Sequence, residues 1–208
     1  MVAAPLLALA LASPATQRPS QTLRSLDELV QALRQFPAAL PGGAPSDGIV
    51  PTSELLREEI YDRLWALGPV AVPALCRRLG DPDVQVRRNV ALFLCVAGGS
   101  WYWPPRPPLD IEECVPGLVK AVTDPDGRVR ELAAHAVGGT GSAGSSAVPC
   151  LIELLNSPSE GDRNSACRGL AGIGPAAKMA LPALGEALLD DSPDVQGSAW
   201  WAIERIDR

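Results

Sequence analysis

The side chains able to do chemistry are few in this chain of 208 residues. His135 is the one histidine, which excludes a metal site built from several histidines. The cysteines lack the CxxC spacing of zinc sites and redox motifs and lie among apolar helix positions. They are Cys76, Cys95, Cys114, Cys150 and Cys167. We therefore expect small packed thiols, with no catalytic residue, metal ligand or cofactor.

The charge of the chain limits the classes of partner. The formal net charge is −6, and the cationic residues form no long run. Binding to phosphate backbones or anionic lipids requires clustered cations, so this composition argues against both. No GxSxG, P-loop or dinucleotide-binding motif is present in the sequence. We expect a protein partner, no nucleic acid and no stable membrane span.

The N-terminal residues 1–24 are predicted to be a leader and linker outside the folded array. The run MVAAPLLALALASPA has the length of a signal peptide but lacks a basic n-region, since the first cation is Arg18. Export, a disordered leader and a mis-assigned start codon all remain open. The odd number of cysteines leaves at least one thiol unpaired by internal disulfides, which fits a reducing compartment slightly better than export. The localisation therefore stays undecided.

Two linked motifs recur four times along the rest of the chain. An apolar-Pro-x-Leu motif occurs as VPAL, VPGL, VPCL and LPAL, with its prolines separated by 43, 33 and 33 residues. A turn follows each copy, in the stretches GDPDVQVRR, TDPDGRVRE, NSPSEGDRN and DSPDVQGSA. Such linked recurrence at a fixed period indicates a repeat protein.

Each unit resolves into two helices joined by this turn. A proline in the first helical turn costs nothing, because its missing N–H would have no partner there. The second helices are predicted over 82–97, 125–137, 158–173 and 193–206. Their predicted N-caps are Asp81, Asp124, Ser157 and Ser192. The first three are predicted to end at Gly98, Gly138 and Gly174.

Two further helices are predicted upstream, in SLDELVQALRQF and SELLREEIYDRLWAL. They would form a degenerate capping pair over 25–68, ahead of repeats at 69–98, 111–138, 146–173 and 175–208. One helix of a pair cannot cover its own apolar stripe, so neighbouring pairs must stack to form the core. The sequence thus predicts an all-α protein, a right-handed α-solenoid of about five stacked antiparallel helix pairs spanning 25–208.

The stretch GPVAVPALCRRLGDPDVQVRR, residues 68–88, resembles HEAT-like repeats of the phycobilisome lyase (PBS lyase) type. The resemblance covers about residues 50–208 and implies a solenoid. It also allows a chromophore (bilin) lyase subunit or lyase-like chaperone, for which Cys114 or another exposed thiol would have to matter. DNA-repair glycosylases with HEAT-like repeats would require a basic groove. Deoxyhypusine hydroxylases bind two irons through His-Glu pairs, but Ala136 follows His135 here, so that activity is not expected.

An arginine recurs at one position of the second helices, at Arg87, Arg130 and Arg163. Asp83 and Asp126 lie four residues before the first two, one helical turn away. We expect a structural Asp–Arg ladder, with pairs formed along a helix or to the next unit. An anion site is the alternative. The last unit is predicted to carry Ser198 at this position, which would end the ladder.

The interval of 43 residues contains an inserted loop over 99–110, which includes the sequence WYWPPRPP of residues 101–108. Prolines stiffen this loop, and Trp, Tyr and Arg are enriched at binding hot spots. The candidate contact residues are Trp101, Tyr102, Trp103 and Arg106. The alternative is that the two tryptophans fold back and plug the side of the solenoid.

A second candidate surface follows from aligning the repeats. Arg88, Glu131 and Asn164 share one position, and one turn after them lie Leu92, His135 and Arg168 respectively. This mixed polar stripe is either a docking surface or a solvated face.

The C-terminal repeat carries Trp200 and Trp201, aligned by the sequence with core positions of earlier repeats. They are predicted either to close the open end of the array or to support an end-to-end homodimer. The function that the sequence favours is a non-catalytic protein–protein interaction scaffold.

Overall fold

The computed structural model describes residues 25–35, 52–99 and 107–208, and within these ranges it contains ten α-helices and no β-strand. Short 3-10 helices precede four of the α-helices. The predicted all-α solenoid is confirmed, because the helices pair along the chain and the pairs stack in sequence order. The helices are α1 (Leu26–Ala32), α2 (Thr52–Leu67), α3 (Val72–Arg78), α4 (Val84–Ala97), α5 (Val115–Ala121), α6 (Gly127–Gly139), α7 (Val148–Leu154), α8 (Glu160–Ile173), α9 (Leu181–Ala187) and α10 (Pro193–Ile206).

The recurring Pro-x-Leu motif begins the first helix of each repeat. The prolines occupy the first turn of α3, α5, α7 and α9, where a missing N–H breaks no helical bond. The leucine of each motif is fully buried, at Leu75, Leu118, Leu151 and Leu184. The motif therefore marks the helix start and supplies a core residue to each repeat.

Three of the predicted N-caps are wrong by two residues. The N-caps of α4, α6, α8 and α10 are Asp83, Asp126, Ser159 and Ser192. The residue two positions earlier accepts a hydrogen bond from the N-cap N–H instead, as in the 2.9 Å bond from Asp83 to Asp81 Oδ1. This Asx turn keeps the intervening residues out of the helix. The predicted stop at Gly138 is also wrong, because α6 continues to Gly139.

The second helices of the repeats pack side by side in the order α4, α6, α8, α10. Glycines allow their backbones to touch near the C-terminal ends. A Cβ on Gly139 would lie 2.7 Å from the Gly98 carbonyl oxygen, and one on Gly172 would lie 2.5 Å from the Gly138 carbonyl oxygen. The close approach leaves this part of the surface with few side chains.

The pair α1 and α2 covers the end of the array next to α4. The predicted capping box of α1 is present, since Glu28 N–H donates to Ser25 Oγ at 3.2 Å and Ser25 N–H donates to Glu28 Oε2 at 3.0 Å. The buried Asn89 of α4 donates from Nδ2 to the Leu33 carbonyl oxygen at 2.9 Å. Tyr61 of α2 packs edge-on against Phe93, with ring centroids 5.5 Å apart.

The opposite end of the array is not closed by the tryptophan pair. Trp200 is 60% exposed and Trp201 is 44% exposed, so the prediction that they fill a final core position is wrong. The N-cap at Ser192 sets the register of α10, and in that register the buried positions beside the tryptophans belong to Ala199 and Ala202.

Two cysteines form a disulfide, Cys76–Cys114, across 38 residues of sequence. The bond joins α3 to the 3-10 turn that precedes α5, and the inserted segment 99–110 lies between the two. The prediction of packed thiols is therefore wrong for this pair, whereas Cys95, Cys150 and Cys167 are free. Among the helices of the described ranges, none combines the length and hydropathy that a bilayer crossing requires.

Candidate protein-binding groove

The residues at one equivalent position of the second helices form a row across the array. Leu92, His135, Arg168 and Trp201 each lie nine residues after the N-cap of their helix. Because these helices pack side by side, the four residues follow one another across the array. The repeat alignment predicted from the sequence contains the first three residues of this row but not Trp201, since the extra residues in DDSPD concealed the register of α10.

A groove of about 400 Å³ runs along this row and is called the second-helix groove below. Residues of three repeats and of the turns after α4 and α6 line this groove. Among the residues that the structure describes, the lining consists of Gly98, Gly99, His135, Gly138, Gly139, Gly141, Arg168, Gly172, Trp201 and Arg205.

The floor of the second-helix groove is main chain. Six of the lining residues that the structure describes are glycines, which carry no side chain. An extended peptide can come close to such a surface without meeting a Cβ atom. The side chains of His135, Arg168, Trp201 and Arg205 therefore supply the specific chemistry of the groove.

Arg205 is held at the groove by two contacts. Its Nε–H donates to the Ala171 carbonyl oxygen at 3.0 Å, and its guanidinium carbon lies 5.2 Å from the centroid of the Trp201 ring. A guanidinium over an indole face is attracted by the ring quadrupole. The sequence signal for this site was a tryptophan followed four residues later by arginine on a helix, which the sequence analysis did not use.

His135 is half-buried between α6 and α8. Its Nε2 lies 3.3 Å from Ser165 Oγ. Burial, followed by the charges of Arg168 and Arg128, lowers the pKa of His135 to about 4. The imidazole is therefore neutral at pH 7, and a neutral ring carries one donor and one acceptor nitrogen.

A smaller pocket of about 210 Å³ adjoins the groove and shares His135 and Arg168 with it. Glu131 accepts from Arg128 Nη1 at 3.0 Å in this pocket. Asn164 Oδ1 accepts from Arg168 Nε at 3.1 Å. The structure thus brings together four residues of the predicted polar stripe, namely Glu131, His135, Asn164 and Arg168.

The fifth residue of that stripe, Arg88, lies elsewhere. Its guanidinium makes two bonds to the carboxylate of Asp126, of 2.9 Å from Nε and 2.6 Å from Nη2. This pair joins α4 to the N-terminus of α6 and lies outside the groove. It holds the pKa of Asp126 below its usual value.

The recurring arginines form ion pairs with the following repeat. Arg87 donates to both carboxylate oxygens of Asp124 at 2.8 and 3.1 Å, and Arg163 donates to both of Asp190 at 2.7 and 2.9 Å. Arg130 donates twice to one oxygen of Asp162, at 3.0 and 2.7 Å. The pairs therefore join successive repeats.

The predicted aspartates have other roles in this arrangement. Asp83 accepts from Gln85 N–H at 2.8 Å as an N-cap and lies 3.2 Å from Arg34 Nε. Asp126 caps α6, and neither aspartate is the carboxylate that neutralises the arginine one turn later. Each ladder arginine also donates from Nη1 to a carbonyl oxygen of its own turn, as Arg130 does to Asp124 at 2.9 Å.

The last repeat carries glutamine at the ladder position. Counted from the N-cap Ser192, that position is Gln196 and not Ser198, which corrects the sequence alignment. Gln196 Nε2 donates to the Asp190 carbonyl oxygen at 2.6 Å, replacing the bond that the arginines make to their own turn.

Four candidate contact residues of the inserted loop lie outside the described residues. These are Trp101, Tyr102, Trp103 and Arg106. In the parts of the chain that the structure describes, no group of three or more His, Cys, Asp or Glu side chains is arranged to hold a metal ion.

Comparison with known proteins places the fold among helical repeat proteins. The family model for HEAT repeats matches residues 72–171. No curated protein matches this chain. An engineered protein shares 20% sequence identity with it at a TM-score of 0.57, over 92% of this chain and 93% of its own.

Two further structures of similar fold contain bound partners. A designed armadillo repeat protein in complex with the peptide (KR)4 is 18% identical over 88% of this chain and 82% of its own, with a TM-score of 0.57. The complex of CpcE and CpcF of phycocyanin lyase from Nostoc sp. PCC7120 contains a chain that is 19% identical. That match covers 86% of this chain and 99% of the other, with a TM-score of 0.60.

Proposed function

We propose that this chain is a non-catalytic scaffold that holds a segment of a protein partner in the second-helix groove. The observation that carries the proposal is the groove itself, in which three repeats combine a main-chain floor with Arg168, Trp201 and Arg205. Tryptophan and arginine are the residue types most enriched among the hot spots of protein interfaces.

The similar structures support binding as the use of this fold. The designed armadillo repeat protein binds a peptide, and CpcE and CpcF form a complex with each other. A solenoid presents a long continuous surface because each repeat contributes the same face. In this chain that surface includes an aromatic residue and two arginines in one groove.

The test uses two adjacent tryptophans that differ in position. Trp201 lines the groove, whereas Trp200 is more exposed and does not line it. Affinity capture with the full chain, followed by mass spectrometry, should recover a partner with wild type and Trp200→Ala but lose it with Trp201→Ala. Far-UV circular dichroism checks that both variants fold. Equal recovery by the two variants would remove the groove from the binding surface.

The inserted loop is proposed as a second part of the same binding surface. Replacing Trp101, Tyr102 and Arg106 with alanine in one chain should reduce recovery of the captured partner. Unchanged recovery from a folded variant would restrict binding to the groove.

An end-to-end homodimer is proposed through the exposed Trp200, with Trp201 beside it. Sedimentation velocity of wild type should then show a dimer that dissociates in Trp200→Ala. A monomer at all concentrations would contradict the homodimer.

The similarity to the CpcE–CpcF complex supports a second candidate function, that of a chromophore lyase-like subunit. Cys114 cannot be its reactive thiol in this structure, because it is buried in the disulfide. Burial raises the pKa of Cys95 and of Cys167 to about 12, which suppresses their thiolates. Cys150 is the half-buried free thiol that remains among the described residues.

A bilin titration followed by absorbance tests this second candidate. The spectrum of the bilin should change with wild type and change less with Cys150→Ser. An unchanged spectrum with wild type would leave the scaffold as the function of the chain.

A further inference from the structure

We infer that the Cys76–Cys114 disulfide is a reversible bond, which a small thiol opens by attack at Cys76 while the repeat array stays folded. The inference goes beyond the proposed scaffold function, because it assigns a site of covalent modification at the junction of the first two repeats. It is carried by the positions of the two cysteines within the repeat and by their unequal exposure.

The position of Cys114 is held by alanine in the other repeats. Cys114 lies two residues before the proline of its motif and is fully buried. The residues at the same place in the other three repeats are Ala71, Ala147 and Ala180, and each of them is fully buried as well. A small apolar side chain is therefore what the packing of the repeats requires at this position.

The position of Cys76 is also apolar in the next two repeats. Cys76 lies three residues after the motif proline, where the second and third repeats carry Val119 and Ile152. All three side chains are partly buried and pack against the core. The next two junctions thus have Val119 with Ala147, and Ile152 with Ala180, at the places of the two cysteines. Neither of these pairs contains a covalent bond.

The first junction can therefore hold together without its disulfide. A reduced cysteine packs as a small apolar residue, so Cys76 and Cys114 can fill the places that unbonded apolar residues fill at the other junctions. The second helices are joined across this junction by the ion pair of Arg87 and Asp124, with Nε and Oδ2 2.8 Å apart. Opening the disulfide leaves this ion pair intact, and the repeats stay stacked.

The two cysteines differ in exposure. Cys114 is fully buried, whereas Cys76 is partly exposed. Cys76 also lines a groove of about 640 Å³ between α3 and α5, which offers room for a small thiol. Thiol–disulfide exchange requires the attacking thiolate to reach a sulfur atom, so the attack is directed to Cys76.

The exchange proceeds in two balanced steps. In the first step, the thiolate of a small thiol bonds to Cys76 Sγ and the disulfide breaks, so that Cys114 Sγ leaves with the electron pair and takes up a proton. In the second step, another thiolate attacks the sulfur of the bound thiol and releases Cys76 as a thiolate. The two small thiols leave as their own disulfide, and two electrons have passed from them to the protein.

The first experiment locates the reactive sulfur with variants that copy the other repeats. Cys114→Ala leaves Cys76 unbonded, and Cys76→Val leaves Cys114 unbonded. Each variant is treated with oxidised glutathione, and peptide mass spectrometry measures the mixed disulfide at the remaining cysteine of the pair. We expect Cys76 to react at least about tenfold faster than Cys114, because access limits the exchange. Equal rates, or faster reaction of Cys114, would overturn the assignment of Cys76.

The second experiment follows the wild-type chain as the ratio of reduced to oxidised glutathione increases. Alkylation and mass spectrometry measure the fraction of open bond, and far-UV circular dichroism measures the helix content at each ratio. We expect the bond to open, and to re-form when the ratio is reversed, with the helical signal unchanged. A bond that opens only after unfolding in urea, or a helical signal that is lost on opening, would overturn the inference.

Hydrogen exchange of the wild-type chain measures how far the effect of opening extends. Reduction should speed amide exchange in α3 and in the turn Glu112–Cys114, which the disulfide joins. Exchange in α8 and α10 should stay the same, because these helices belong to later repeats. Faster exchange throughout the array would show that the disulfide holds the whole fold and would overturn the inference.

Discussion

Replacing Arg130 with methionine should destabilise the array far more than the same change at Arg88. Both arginines form ion pairs with the next repeat, but the carboxylates that they would leave behind differ in exposure. The side chain of Asp162 is 1% exposed beside Arg130, whereas that of Asp126 is 18% exposed beside Arg88. Water can solvate Asp126 after the change but cannot reach Asp162.

The magnitude follows from the burial of the abandoned charge. Removing one partner of a buried ion pair costs about 3–5 kcal/mol, because the remaining charge has lost its solvation and its partner. Arg130 also donates to the carbonyl oxygens of Asp124 and Pro125, at 2.9 and 3.1 Å, and these bonds disappear as well. A solvent-accessible pair is worth about 0.2–1 kcal/mol, so Arg88→Met should lie near that range.

Urea unfolding at pH 7, followed by far-UV circular dichroism, measures both losses. Adding Asp162→Asn to Arg130→Met removes the stranded charge and should restore about 2 kcal/mol or more, as a double-mutant cycle would report. Equal losses below about 1 kcal/mol from Arg130→Met and Arg88→Met would refute the reasoning. A second unfolding transition in Arg130→Met would show that the α6–α8 interface has become the weak joint of the array.

Three further predictions concern a glycine contact, the disulfide and the histidine. Gly172→Ala should lower the free energy of unfolding in urea by about 1–3 kcal/mol, because the new Cβ would meet the backbone of α6. In Gly197→Ala of α10 the new Cβ meets nothing within 4 Å, so this variant should raise the free energy of unfolding by about 0.5–1 kcal/mol, and equal effects of the two variants would contradict the close packing. Replacing Cys76 and Cys114 by serine should lower the free energy of unfolding by about 2–4 kcal/mol, since the bond closes a long loop. A thermal midpoint of the wild-type chain that is the same with and without reductant would argue against the bond. The folded state holds the pKa of His135 at about 4, so the unfolded chain binds an extra proton below pH 6.5. The free energy of unfolding should therefore fall as the pH drops from 6.5 to 4, by up to about 3 kcal/mol more in wild type than in His135→Gln.

The helices were predictable because their signals are local. The proline-led first helices follow from the Pro-x-Leu motif, and the capping box of α1 follows from Ser25 and Glu28. The N-caps were misplaced because Asp-Pro-Asp contains two residues able to cap. The choice between Asp81 and Asp83 depends on the Asx turn, in which Asp81 binds the N–H of Asp83, and this turn was not read from the sequence.

The contacts between repeats were less predictable, because their partners are distant in sequence. The arginines of the ladder recur at a fixed position in the sequence, but the carboxylate that Arg87 binds belongs to Asp124, 37 residues later. The Cys76–Cys114 bond depends on the packing of α3 against the turn before α5, and no cysteine spacing encodes that packing. The placement of Trp201 at the groove depends on the register of α10, which its N-cap Ser192 fixes.

One substitution within the repeats shows why the ladder is a structural device. The turn position held by Asp81, Asp124 and Asp190 is Ser157 in the third repeat, which would leave Arg130 without a carboxylate. Asp162 supplies that carboxylate from the first turn of α8, and Ser157 Oγ donates to the same oxygen at 2.7 Å.

Asp162 stands at a position of the second helices that is otherwise apolar. The position of Asp162 holds the buried Val86 and Val129 in the earlier repeats. A buried charge at an apolar position is costly unless it is paired, so the arginine of the preceding repeat and the Asp162 carboxylate require each other. The ladder charges therefore cancel pairwise at each interface between repeats.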